Sequence, residues 1–245
     1  MDSRNLVSVI LPATDETYSL IETAEQCRSG LPDYHLQFII VTSPKFTTSA
    51  CRDAIKTLQG RYPEQIETFD QRLPGLGGAL QEAFDRAQGE ITVLMSSDLE
   101  TDPKVLPLML KKMSAGYDVV ATTRWTRRAG FSGYNKIKLL LNFFFQQFFR
   151  ILYWTSLTDL TYAYRAYRTD KLKKIRWEEM QFPFLFESIV KPLRLGYRVT
   201  EVPAPWRVRP EGISHNSFKQ TLDYARIGIR VRFQKKTKML YTTHS

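Results

Sequence analysis

Cysteine is scarce in this chain. There are two among 245 residues, Cys27 and Cys51, both in helix-like surroundings and without CxxC spacing. That argues against a disulfide scaffold and for the reduced thiols of a cytosolic protein. An uninterrupted apolar run of about 20 residues is missing as well, so no bilayer span is expected. The amino terminus passes from M-D-S-R-N straight into a strand, without the features of a signal peptide. The glycines do not follow the GxGxxG dinucleotide spacing, and no Lys-Ser/Thr pair follows the glycine-rich loop as in a P-loop. Acids are the minority charge: 25 Asp and Glu face 35 Lys and Arg, for a formal net charge of +10. Such an excess points to an anionic partner: a nucleic acid, a phosphorylated substrate or a negatively charged membrane surface. No nucleic-acid-binding module or interleaved aromatic–basic strand is recognisable, so nucleic acid is set aside.

What is present is an alternation of strand and helix. Strands are expected at Leu6 to Leu11, Gln37 to Val41, Ile66 to Phe69, Ile91 to Met95 and Val119 to Thr123. Helical stretches separate them, near Tyr18 to Arg28, Ala50 to Gln59, from the glycine loop to Gln88, and from Asp102-Pro103 to Ala115. Strands joined by helices imply right-handed crossovers and a mostly parallel α/β sheet flanked by helices.

The stretch I-T-V-L-M-S-S-D-L-E-T-D-P, from Ile91 to Pro103, draws the chemistry together. A short apolar strand runs into Asp98, Glu100 and Asp102, and ligands of open α/β sheets bind beyond the carboxyl ends of strands. Asp98 and Glu100 are two residues apart, so in extended chain they share a face and suit one hard divalent cation, Mg²⁺ or Mn²⁺. Asp102 before Pro103 reads as a helix cap. Gly75, Gly77 and Gly78 precede a helix, where backbone N–H groups can meet a phosphate; a simple tight turn explains them equally well.

Several motifs together resemble family 2 glycosyltransferases with the GT-A fold, in the dolichol-phosphate mannosyltransferase-like branch. P-A-T-D-E (Pro12 to Glu16) resembles the opening P-x-x-N-E, and P-G-L-G-G-A-L resembles the glycine loop. S-S-D-L-E-T-D-P stands where that branch has D-A-D-L-Q-x-x-P. G-Y-D-V-V-A-T-T-R ends on Arg124 as G-x-D-V-V-x-G-S-R does. D-L-T-Y-A-Y-R-A-Y-R (Asp159 to Arg168) resembles D-x-T-S-G-F-R-A-Y-R, and R-P-E-G-I-S-H resembles R-x-x-G-x-S-K. F-P-F-L-F-E and L-G-Y-R-V-T-E-V-P (Phe182 to Pro203) also follow the pattern. The matches keep family order over roughly residues 6 to 216.

The resemblance implies transfer of a sugar from a nucleotide-diphosphate donor to a polyprenyl-phosphate or glycan acceptor, with inversion. It assigns Pro12, Glu16, Thr42, Gly77 and Asp98 to the donor nucleotide, and Asp98 and Glu100 to the metal. Arg124, Arg165, Arg209, Ser214 and His215 fall to the acceptor phosphate, Glu187 to the sugar. Asp98, Arg124, Asp159 and Arg165 carry the chemistry, with Asp159 as the base should the acceptor be a sugar hydroxyl. Departures are as specific as matches. Thr42, Ser43, Pro44 and Lys45 replace D-D-G-S, Ser96 replaces the first acid of D-x-D, Glu100 replaces a glutamine and His215 a lysine. These changes keep a degenerate binding or scaffold protein open as the rival.

Residues 136–154 combine a basic start with L-L-L-N-F-F-F-Q-Q-F-F-R-I-L-Y-W. Asn142, Gln146, Gln147 and Arg150 are expected on one helical face, leaving a wide apolar surface for a membrane interface, the core or a homodimer. From Phe218 a further helix ends in a basic cluster, Arg226, Arg230, Arg232, Lys235, Lys236 and Lys238, read as solvated or touching headgroups. The expected organisation is a GT-A domain over 1–216, with an acceptor loop and interface helix within 125–158, then a basic helix and tail over 217–245. The expected location is cytoplasmic, peripheral on the inner face of the membrane.

Overall fold

The structure is a computed structural model, and it describes residues 5–126, 136–207, 209 and 218–241. Its first half runs β1 (Leu6–Pro12), α1 (Tyr18–Gly30), β2 (His35–Thr42), α2 (Ser49–Arg61), β3 (Ile66–Asp70), α3 (Gly75–Arg86) and β4 (Ile91–Leu94). A 3₁₀ turn at Pro103–Val105 then leads into α4 (Leu106–Ser114) and β5 (Val119–Thr123). The second half adds α5 (Lys136–Tyr153), β6 (Arg165–Arg168), α6 (Thr169–Leu172), α7 (Phe184–Leu195), β7 (Val199–Pro203) and α8 (Phe218–Phe233). The five strands expected from sequence are present to within two residues. Strands β6 and β7 are additions.

The seven strands form one sheet in the order β3-β2-β1-β4-β6-β5-β7. Every pairing is parallel except those of β6, which runs antiparallel to both β4 and β5. Side chains alternate between two apolar cores, one on each face, as the twofold period of a strand requires. Val7, Val9 and Leu11 of β1 enter one core with Phe38 and Ile40 of β2, under α1, α2 and α4. Ile10, Ile39 and Val41 enter the other with residues of α3, α7 and α8. Burial on both faces explains why these strands read as largely apolar runs, broken at Ser8 and Gln37, which hydrogen-bond each other.

From β1 the chain steps outward through β2 to β3, then returns to the opposite side of β1 as β4. The switch point lies between β1 and β4, where open α/β sheets take their ligands. Because six strands point the same way, their carboxyl ends gather along one edge. Pro12, Thr42, Asp70, the loop at Ser96–Asp98, Arg124 and the segment after Pro203 all emerge there.

Local chemistry sets the boundaries. Thr48 caps α2, its Oγ1 accepting the Cys51 N–H at 3.2 Å. Asp102 caps the 3₁₀ turn by accepting the Lys104 N–H at 3.0 Å, with Pro103 at the first position, the structural role expected for it. Helix α8 is not a solvated tail: Ile227 and Val231 are buried against Phe149 and Phe186, and Met239 is fully buried beyond them. Cys27 and Cys51 are buried thiols, Cys27 pushed up to about 12 by burial.

Candidate active site

The acids at the switch point form the first part of the site. Asp98 and Glu100 leave β4 in a tight loop in which Leu99 takes a left-handed φ of 59° and Asp98 Oδ1 accepts the Glu100 N–H at 3.0 Å. Their outer oxygens converge on one cationic group, Arg209. Its Nη2 lies 3.2 Å from Asp98 Oδ2 and its Nε 2.8 Å from Glu100 Oε1. Trp206 Nε1 donates to Glu100 Oε2 at 3.2 Å, and Trp206 pairs with Thr101 through an isolated antiparallel bridge. Burial pushes the Glu100 carboxyl up and the Asp98 charge adds to it, more than Arg209 and Trp206 offset. Burial disfavours the Arg209 charge, but the Glu100 hydrogen bond and the charges of Asp98, Glu100 and Glu16 hold its pKa above the ordinary arginine value. Two carboxylates that converge on one guanidinium offer two hard-oxygen ligands; among the described residues no three His, Cys, Asp or Glu gather that could hold a metal, so a divalent cation here would need further oxygens from a bound phosphate. Ser96, where a third acid would stand, instead hydrogen-bonds Thr101 Oγ1 at 3.0 Å.

Beside this pair the loops after β1 and β2 are tied together. The Ser97 hydroxyl donates to the Pro12 carbonyl, joining the ends of β1 and β4. Glu16 is buried and turned back, its Oε2 accepting the N–H groups of Thr14 at 2.7 Å and Asp15 at 3.2 Å. Burial raises its pKa despite those bonds, with the nearby charges of Asp15 and Asp98 adding to the rise. Thr47 Oγ1 accepts the Ser43 N–H and donates to the Ala13 carbonyl, tying the loop after β2 to the loop after β1. Thr42 donates to Asp70 Oδ1 at 2.8 Å, and Arg52 Nη2 reaches the same oxygen at 2.9 Å. Asp70 thus puts a carboxylate beside the position where Thr42 lacks one. Its register opposite Thr42, not visible in the linear sequence, creates that arrangement.

The third part is basic. Arg124, at the end of β5, is held by Asp159 through two parallel bonds, Nε to Oδ2 at 2.7 Å and Nη2 to Oδ1 at 3.0 Å. Asp159 is completely buried, and also accepts the Tyr162 N–H at 3.1 Å. Burial alone would raise its pKa, but the Arg124 charge and these hydrogen bonds outweigh that and bring it below the ordinary value. Gln146 of α5 locks the same loop, donating to Thr161 Oγ1 at 2.9 Å and accepting the Leu160 N–H at 2.8 Å. The Arg124 guanidinium stacks 4.6 Å over the Tyr162 ring, and the Tyr162 hydroxyl donates to the Glu100 carbonyl at 3.3 Å. Tyr162 therefore joins the acidic and basic halves, a role that no spacing in the sequence signals.

Four sequence-based assignments need correction in space. Asp159 exposes no oxygen to serve as a base; it anchors Arg124. Arg165 is fully buried, its Nη1 donating to the Leu185 carbonyl and Ser188 Oγ and its Nη2 to the Leu160 carbonyl, while Nε has no partner among the described residues. A guanidinium enclosed in this way ties β6 to α7 and presents nothing to a phosphate. Glu187 is also fully buried, 2.7 Å from Lys191 and accepting the N–H groups of Glu178 and Glu179, so it pins that loop and presents nothing to a sugar. Gly77 belongs to packing, because a Cβ there would come 2.3 Å from the Glu179 carbonyl oxygen; the next N–H, of Gly78, goes to the Met180 carbonyl. Ser214 and His215 lie outside the described residues.

A family model described as Glycosyl transferase family 2 matches residues 8–176. The dolichol-phosphate mannosyltransferase of Pyrococcus furiosus is 23% identical over 90% of this chain and 62% of its own length. The undecaprenyl-phosphate mannosyltransferase of Micrococcus luteus is 27% identical over 86% of this chain and 87% of its own. The chain spans 33% and 62% of the length of two curated relatives it matches. Among solved structures, glucosyl-3-phosphoglycerate synthase from Mycobacterium tuberculosis, bound to Mn²⁺, uridine diphosphate and product, superposes with a TM-score of 0.66. That likeness, at 16% identity, covers 93% of this chain and 78% of the other, and it shows the GT-A fold.

Proposed function

The chain belongs to glycosyl transferase family 2, and from that premise we propose that it transfers a hexosyl group from a nucleotide-diphosphate sugar to a polyprenyl-phosphate acceptor at a membrane surface. One observation carries this reading. A pair of carboxylates and an anchored arginine stand side by side at the switch point, joined through Tyr162. The nucleoside lies over Pro12 to Glu16 and Thr42–Ser43. Asp98 and Glu100 would hold a divalent cation, which would supply positive charge for the departing diphosphate.

Arg124 brings positive charge to the acceptor phosphate, its guanidinium fixed in place by the bidentate pair with Asp159 and a bond to Thr161. A phosphomonoester carries between one and two negative charges near neutral pH, with a second pKa of about 6. Its oxygen can attack the anomeric carbon from the face opposite the diphosphate without a base. The enclosure of Asp159 favours this acceptor over a sugar hydroxyl, which would need its proton removed.

The membrane part of the reading is supported by α5. Ile137, Leu140, Leu141, Phe144, Phe148 and Ile151 are exposed at helical spacing, an apolar stripe of the kind that beds into a lipid interface. Among the described residues no helix is long and apolar enough to cross a membrane. A peripheral position on the cytoplasmic face fits a nucleotide-sugar donor.

The test is transfer of labelled sugar into organic-extractable lipid, with UDP-, GDP-, ADP-, CMP- and dTDP-sugars, a polyprenyl phosphate, and Mg²⁺ or Mn²⁺. Label in the lipid with one donor is the expected result. No transfer and no binding of any donor would overturn the reading in favour of a scaffold that keeps the fold.

A further inference from the structure

We propose that Arg209 takes the place of the divalent cation in the donor-free protein, so that cation and guanidinium exchange on the acid pair. The inference rests on the reading of Asp98 and Glu100 as cation ligands.

All four carboxylate oxygens of the pair are engaged within the chain. Asp98 Oδ1 accepts the Glu100 N–H, and Asp98 Oδ2 faces Arg209 Nη2. Glu100 Oε1 accepts from Arg209 Nε, and Glu100 Oε2 accepts from Trp206 Nε1. A Mg²⁺ ion sits about 2.0–2.1 Å from its oxygen ligands. The guanidinium nitrogens stand 2.8 and 3.2 Å from the very oxygens such an ion would use. The two positive groups therefore compete for one space, and Arg209 must leave before the cation enters.

Charge explains why an arginine suffices. Ser96 contributes no carboxylate, so Asp98 and Glu100, with Glu16 close by, face one guanidinium that stays protonated at any working pH. Two residues before Arg209 the chain is tied to the acid loop. The Arg207 N–H donates to the Glu100 carbonyl at 3.4 Å, and Trp206 bridges Thr101. Departure of the Arg209 side chain can leave these contacts in place, because they are made by Trp206 and Arg207. Exchange also sets an order: arrival of the cation with the donor releases an arginine beside the cleft just before the acceptor phosphate is needed.

The test is Mn²⁺ binding to the whole chain without nucleotide, read by electron paramagnetic resonance, in wild type, Arg209→Gln, Arg209→Lys and Asp98→Asn. Removing the competitor should tighten Mn²⁺ binding at least tenfold in Arg209→Gln. Arg209→Lys should fall between, since an ammonium keeps the charge but loses the fork. Should Arg209→Gln fail to fold by circular dichroism, Arg209→Lys decides the matter alone, and tighter binding supports the exchange. Unchanged or weaker binding in the arginine variants, with loss in Asp98→Asn, overturns the exchange and leaves the cation site standing. Mn²⁺ binding that ignores Asp98→Asn overturns both the exchange and the cation reading beneath it.

Discussion

The residues of this site divide into those proposed to meet ligands and those that hold them. Asp98 is of the first kind, and Asp98→Ala is expected to abolish sugar transfer while the melting temperature stays within a few degrees; full activity would remove Asp98 from the site. Asp159 is a holder. Asp159→Asn leaves the Arg124 guanidinium without its counter-charge, and breaking a pair this enclosed costs about 3–5 kcal/mol, measurable by urea unfolding. The sign with pH follows from its lowered pKa. The ionised form is favoured by folding, so the contribution is complete above the ordinary aspartate range. It is lost as pH falls through the lower folded-state value. Wild type should therefore lose stability in acid more steeply than Asp159→Asn. Asp98 was singled out because it follows the short strand Ile91–Leu94 within four residues, and Arg124 because it ends a stretch that resembles a family motif. The enclosure of Arg165 and Glu187 was not, because a charged side chain in a sequence carries no sign of whether its partners are water, carbonyls or a buried Lys191.

At the scale of elements, the expected strands were legible through their apolar runs, and β6 was not. Arg165-Ala166-Tyr167-Arg168 has no such run; it is a strand only because β4 and β5 stand on both sides of it. Helix α5 was expected to gather Asn142, Gln146, Gln147 and Arg150 on one face and to leave one wide apolar surface for a membrane interface, the core or a homodimer. The structure splits that surface. Gln146 is buried on the site loop, Phe145 and Phe149 pack on Phe186, and Phe144 and Phe148 are exposed. A stripe of aromatics is ambiguous by pattern alone, because both faces of this helix are largely apolar. The two faces predict opposite outcomes. Phe149→Ala should destabilise by about 3–5 kcal/mol as a large cavity opens. Phe144→Ser with Phe148→Ser should leave the melting curve unchanged and release the protein from anionic liposomes in a sedimentation assay; continued pelleting would remove α5 from the lipid interface. Gly77→Ala should lower the melting temperature by overpacking, which typically costs about 1–3 kcal/mol, since its new methyl would meet the Glu179 carbonyl.

For the whole molecule, the net charge of +10 predicts that liposome binding weakens as salt rises from low to physiological concentration. A salt-independent association would assign the attraction to α5 alone. Donor binding should raise the melting temperature by mass action, and more so with Mn²⁺ or Mg²⁺ present. The α/β class and the single edge of strand ends follow from strand–helix alternation, which needs no long-range information. The return of the segment after β7 onto the β4 loop does, and that return is what brings Arg209 to Asp98 and Glu100. Helix α5 carries one more consequence. Turning it by a single residue, about 100°, would take Gln146 off Leu160 and Thr161. Its outer phenylalanines are therefore keyed in azimuth to the loop that holds Arg124. A lipid interface that took α5, as proposed, would receive a protein whose Arg124 loop is already fixed in direction.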